Sequence, residues 1–352
     1  MPGWMTESHT VALIGLLGGV MLGLAARLGR FCTLGAIEDA LYGGSVLRLR
    51  MWALAIGVAV TGTFVLIATG LLQERASFYL SIRWMPLASI IGGLMFGYGM
   101  ALAGNCGYGA IARLGGGDLR SFVIVLVMGV STYVTLAGPL APLRNALFEQ
   151  VDVTSDLPPG LAHHVAALTG WPPAAIGIVL GLAICLAALW PPALRQDPKA
   201  MFWSVVVGLA IVSGWAGTQW VNTHGFDGLP VVSHSYSAPV GETILWTMTG
   251  SLRPVTFAVG SVVGVWLGAF IGSLIRGHFR WEACEDPREL RRQIIGAAVM
   301  GVGAVIAMGC TVGQGMSAFS VLALSAPVTF LAIFAGAALG LRQLIEGFSP
   351  AE

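Results

Sequence analysis

The sequence predicts an all-α integral membrane protein: about nine transmembrane helices plus re-entrant half-helices, in one membrane domain built as an inverted internal repeat. Three observations lead there. Of 352 residues only 10% are charged and 56% are hydrophobic, with a mean hydropathy of +0.82, where an ordinary soluble domain carries about 25% charge. Long uncharged runs recur along the whole chain, and one of them, with its flanks, occurs twice. A net charge of +1 leaves no basic face for nucleic acid, and 49 glycines without a triplet period exclude collagen.

A helix crossing about 30 Å of hydrocarbon takes roughly 20 apolar residues. Runs of that kind lie near 10–29, 51–72, 84–103, 120–140, 173–192, 201–220, 254–275, 293–309 and 324–341. The first is not a cleavable signal, because MPGWMTESH before it lacks a basic residue. Nine spans put the termini on opposite faces. The loops on the C-terminal side then hold fourteen of the 18 Lys and Arg residues, Arg27, Arg30, Arg48 and Arg50 among them, and the other side holds Arg75, Arg83, Arg144 and Arg253. Positive residues accumulate in the cytoplasm, so the N-terminus is expected in the periplasm and the C-terminus in the cytoplasm.

Self-comparison gives one offset, 204 residues, which lays IIGGLMFGYGMALAGNCGYGAI from Ile90 on IIGAAVMGVGAVIAMGCTVGQG from Ile294. Cys106 falls on Cys310, Gly109 on Gly313, and Glu38 on Glu242. Repeat 1 covers about 10–140, a connecting helix about 173–192, and repeat 2 about 201–341. With four spans on each side of the connector, the second copy enters from the opposite face.

Each copy breaks at C-x-x-G and continues into an apolar stretch too short to cross. FCTLGAIEDALYGG repeats the motif around Cys32. These read as half-helices with a cysteine at the N-terminal end, Cys32 and Cys106 dipping in from the cytoplasm and Cys310 from outside. Helix N-termini offer free N–H groups and the positive end of the dipole to an anion. Gly35, Gly107, Gly109 and Gly313 allow close approach, Thr311 adds a hydroxyl, and the thiols suit a soft sulfur anion better than chloride or phosphate. Cys185, in an unbroken apolar run, reads as packing, and Cys284 as a loop thiol. Separated cysteines without nearby histidines do not match a zinc spacing, so no metal or other cofactor is expected.

Ionisable groups at membrane depth are informative. Glu38, Asp39 and Glu242 are read as braces for the half-helices, with proton carriage as the second possibility, and Arg113 as a residue of the cytoplasmic mouth. His163 and His164, with Asp152 and Asp156, fall in an external loop 141–172, and His224 and His234 in another at 221–252; solvated surface is the reading for all four histidines.

The motifs GRFCTLGAIEDAL, AGNCGYGAIARLGGGD and MGCTVGQGMSAFS together resemble the YeeE/YedE sulfur-transport family of bacterial inner-membrane proteins, over essentially the whole chain. The resemblance implies an hourglass of nine spans plus re-entrant helices. It also implies thiosulfate import along Cys32, Cys106 and Cys310 through S–H···S contacts, no enzymatic activity, and a cytoplasmic sulfur-carrier partner of the small TusA-like type. Other members of that family are linked to selenium, so a related sulfur or selenium compound is the alternative substrate. A membrane thiol–disulfide oxidoreductase would need cysteines within disulfide reach, commonly C-x-x-C, and no such pair occurs in a short segment. A generic anion channel with inert cysteines would pass sulfate as readily as thiosulfate.

Overall fold

The computed structural model describes residues 6–149, 157–283 and 286–347, and the readings made on Asp152, Asp156 and Cys284 lie outside them. The described residues form α-helices joined by loops, with two isolated β-bridges. The first half consists of α1 (Glu7–Leu28), α2 (Thr33–Leu41), α3 (Leu47–Ala68), α4 (Pro86–Ala103), α5 (Gly107–Leu114) and α6 (Leu119–Leu136). A connecting pair follows, α7 (Leu161–Thr169) and α8 (Pro173–Leu189). The second half comprises α9 (Pro198–His224), α10 (Ala238–Thr249), α11 (Phe257–Ile275), α12 (Pro287–Ile306), α13 (residues 311–320, with a π-helical stretch Gly313–Ala318) and α14 (Ser325–Ile345).

Each of the nine apolar runs forms a helix within a few residues of its expected bounds. Seven stretches are long and apolar enough to cross a membrane on their own, and the pair α7 and α8, bent by 119°, would make an eighth. The remaining run, 293–309, becomes α12, whose first turns carry Arg288, Glu289, Arg291 and Arg292, so its uncharged portion begins only at Gln293. Local chemistry sets the boundaries: Thr6, Asp118, Asp197 and Asp286 cap α1, α6, α9 and α12 by accepting backbone N–H bonds. Pro86, Pro173, Pro198 and Pro287 occupy first positions, where the missing N–H has no partner to lose.

Lipid gives helices no hydrophobic reason to associate, so close backbone packing has to hold them. Along α1, Gly15, Gly19 and Gly23 face Gly260, Gly264 and Gly268 of α11, and a Cβ at any of the six would strike the opposing main chain. In the centre α4 crosses α12 with Gly92 against Gly303 and Gly99 against Gly296. Equivalent pairings appear on both sides of the molecule. α1 packs on α11 as α9 packs on α3, α4 on α14 as α12 on α6, and α2 on α14 as α10 on α6.

Candidate functional site

The three C-x-x-G segments share one backbone device. Two residues before each cysteine the chain turns through the left-handed region, at Arg30 (φ 54°), Gly104 (φ 76°) and Met308 (φ 55°). The turn reverses the chain, extended backbone follows at Cys32 and Cys106, and a short helix begins one residue later in all three segments. Glycine takes that conformation freely, whereas Arg30 and Met308 hold it against steric cost. Each cysteine therefore stands at the start of a half-helix, as the motif predicts.

A fourth half-helix, α10, has no cysteine. The 204-residue offset places Tyr236 at the Cys32 position and Ser237 at the Thr33 position. Sequence reading missed this start because it lacks the thiol that marked the others. The offset itself was the available signal, since it had already aligned Glu38 with Glu242.

The four starts meet. Cys310 Sγ accepts the N–H of Tyr236 and that of Gly313, each at 3.3 Å, with Ser235 Oγ at 3.8 Å. Cys106 Sγ accepts the N–H of Gly109 at 3.4 Å, and the Thr311 side chain, Cys32 and Cys310 are its neighbours. The rings of Tyr108 and Tyr236 lie 5.5 Å apart, bridging the α5 and α10 starts. Cys106 and Cys310 are buried and Cys32 is partly exposed. Gly107 lies against Met128, where a Cβ would clash, and the Gly109 position abuts the Asn105 side chain.

Three starts also carry one buried side-chain donor without a hydrogen-bond partner, Thr33 Oγ1 at α2, Asn105 Nδ2 beside Cys106 and Ser237 Oγ at α10, and at α13 the Thr311 side chain bonds the Cys106 thiol. Leaving a buried donor unmade costs about 1–3 kcal/mol. Hydroxyls inside apolar helices ordinarily bond the carbonyl four residues back, as Thr132, Ser204 and Thr218 do here. Thr33 and Ser237 at the α2 and α10 starts do not, and neither do Thr63 of α3 and Thr329 of α14 away from them. Of these residues, only Thr311 was singled out by sequence reading.

Away from the arginine-rich end, a cavity of about 450 Å³ leads to this centre. Its floor includes Gly309, Met308 and Ser235, beside Cys310, and its walls include Tyr79, Glu242 and Ser261. On the opposite side of the centre α2 leads to the arginine-rich end. There Arg48 lies over Gly35 and pairs with Asp39 at 3.1 Å, while Glu38 is exposed. Arg113 is exposed in the last turn of α5, near Arg27. Glu242 Oε1 accepts the Thr256 hydroxyl at 2.6 Å, tying α10 to α11. Cys185 packs over Gly57 between α8 and α3, outside the site.

The solvated reading fails for two histidines. His234 is fully buried behind Cys310, its Nδ1 2.7 Å from Ser261 Oγ, which donates to Tyr236 Oη at 3.1 Å. His163 is buried and bonds Glu74 at 2.9 Å, and that bond draws the Glu74 carboxyl below its ordinary range. Both belong to segments that fold back onto the bundle, which polar composition alone does not reveal.

Broken helices whose N-terminal ends meet inside the bundle, with a cavity reaching them from one end, are the arrangement of a helical membrane transporter. The chain belongs to the Sulphur transport family, whose profile it matches over residues 28–339. It is a sulfur-transport membrane protein and not an enzyme. It is 28% identical over 325 residues to the thiosulfate transporter TsuA of Escherichia coli K12, covering 87% of each chain. To TsuA of Spirochaeta thermophila it is 26% identical over 326 residues, 88% of this chain and 92% of the relative. A probable transporter YedE of Salmonella typhimurium is 26% identical over 164 residues, 45% of this chain and 39% of that one.

Proposed function

We propose that the protein imports thiosulfate across the bacterial inner membrane, passing it from Cys310 to Cys106 to Cys32. The observation that carries this reading is the meeting of four half-helix starts at the thiols, three of them with an unpartnered buried donor. Fixed N–H groups, hydroxyls and an amide suit the oxyanion end, and polarizable thiols suit the terminal sulfur. The guanidinium of Arg48, which lies over Gly35, is paired with Asp39, so the ion is held chiefly by dipoles and weak S–H bonds, firmly enough to enter and loosely enough to leave. The names of two relatives support thiosulfate over other sulfur anions.

The arginine-rich end is the cytoplasmic one by the positive-inside rule, which puts the cavity in the periplasm. The two halves act as an inverted repeat, supported by the reciprocal packing of their helices and by the Gly92–Gly303 and Gly99–Gly296 crossings. A TusA-like carrier would meet the ion where α2 and the arginines face the cytoplasm. Moving a dianion inward against about 100 mV, inside negative, opposes uptake by ~4.6 kcal/mol, so onward consumption or a coupled ion must drive it.

Proteoliposome uptake of thiosulfate, sulfate, sulfite and selenite side by side tests the reading. Thiosulfate should enter at least tenfold faster than sulfate. Cys106→Ala and Cys310→Ala should abolish uptake while Cys185→Ala leaves it unchanged; normal uptake by Cys310→Ala would sink the pathway.

A further inference from the structure

The periplasmic cavity contains one charge, and its sign is wrong for an anion. Of the residues lining it, Glu242 alone carries a carboxyl group, and Tyr79 is the other titratable group. No Lys, Arg or His lines the cavity wall to offset the carboxylate. Glu242 is half-buried on α10, six residues beyond Tyr236, and its Oε1 is held by the Thr256 hydroxyl at the start of α11. Tyr133 of α6 faces it, and Arg253, in the exposed loop before α11, lies near Tyr133. A carboxylate facing a dianion in a confined, largely apolar space raises the free energy of the occupied cavity; a carboxylic acid does not, and it adds a hydrogen-bond donor.

We infer that Glu242 is a proton-binding specificity residue: the cavity admits its anion when Glu242 is protonated, so binding of the substrate takes up a proton from the periplasmic side. The proton goes from solvent to the Glu242 carboxylate and no covalent bond to the ion forms. Reciprocity makes the effect mutual: the anion raises the affinity of Glu242 for its proton by the factor with which protonation raises the affinity for the anion. This rests on the thiosulfate reading above, and the test separates the two.

The test is calorimetric binding of thiosulfate to the full chain in nanodiscs from pH 5 to 9, in pairs of buffers with different ionisation enthalpies, beside the uptake assay. Wild-type protein should bind more weakly as pH rises, up to tenfold per unit once Glu242 ionises, and should take up a fraction of a proton per anion there. Glu242→Gln should keep the low-pH affinity throughout and take up none. Thr256→Val removes the donor that favours the ionised form, so its profile should move to higher pH. An unchanged pH slope and unchanged proton uptake in Glu242→Gln would overturn the assignment. Equal weakening of Glu242→Gln at every pH would also overturn it, since a brace would behave that way. Absence of thiosulfate binding by wild type at every pH would instead remove the substrate reading, and this inference with it.

Discussion

The start of α2 and the start of α10 occupy corresponding places in the two halves, yet one presents Cys32, partly exposed, and the other Tyr236, fully buried. The backbone repeats and the chemistry does not. At the α2 start a small thiol leaves a way out toward the arginine-rich end. At the α10 start an aromatic ring packs against Tyr108, its hydroxyl joins Ser261 and His234, and only its backbone N–H serves Cys310. Three thiols on a fourfold frame make the two sides of the centre chemically unequal.

The comparison can be broken at several strengths. The strongest test is Gly264→Leu, which forces a branched side chain into the main chain of α1; no monodisperse protein should survive detergent extraction, as size-exclusion chromatography would show. Exchanging the unequal residues comes next. Tyr236→Cys should lose about 3–5 kcal/mol of stability, as truncation of a buried aromatic does. Cys32→Tyr should leave the unfolding midpoint nearly unchanged and stop uptake, and a Cys32→Tyr protein that still imports would erase the functional meaning of the asymmetry.

Smaller effects come from the left-handed turns. Gly104→Ala meets no atom within 4 Å, so its penalty is backbone strain alone, about 1 kcal/mol. Arg30→Gly, at an exposed site, should shift stability by a similar or smaller amount in the opposite direction. Opposite signs in thermal unfolding would verify that the three turns are one device. The smallest effect concerns Glu74 and His163. Folding lowers the Glu74 pKa from 4.5, so the contribution of this pair is complete above that value and fades as pH falls through the lowered one. Glu74→Gln should abolish that acid-side loss in an unfolding titration.

Much of this was legible in the residues. Apolar runs located the helices because lipid demands length and excludes charge, and α12 met that rule only in its second part because charges open it. C-x-x-G located three starts because a break, a thiol and a glycine coincide. Tyr236 was legible only through the 204-residue offset, since an aromatic in a polar-looking loop carries no local mark of a helix start. His234 was misread for the related reason that burial of the loop around it depends on contacts with α11 and α13. The unpartnered state of Thr33 and Ser237 could not be read at all, because a hydroxyl in an apolar helix bonds its own backbone by default and only coordinates reveal the exception.

The glycine face of α1 has a consequence in time. Its partner α11 lies some 240 residues further along the chain, and synthesis at about 5–20 residues per second delivers that partner roughly 12–50 s later. For that interval Gly15, Gly19 and Gly23 stand open to lipid or to whatever holds nascent helices. The first half must therefore wait in the bilayer, inserted but unassembled, and its most closely packed seam is among the last to close.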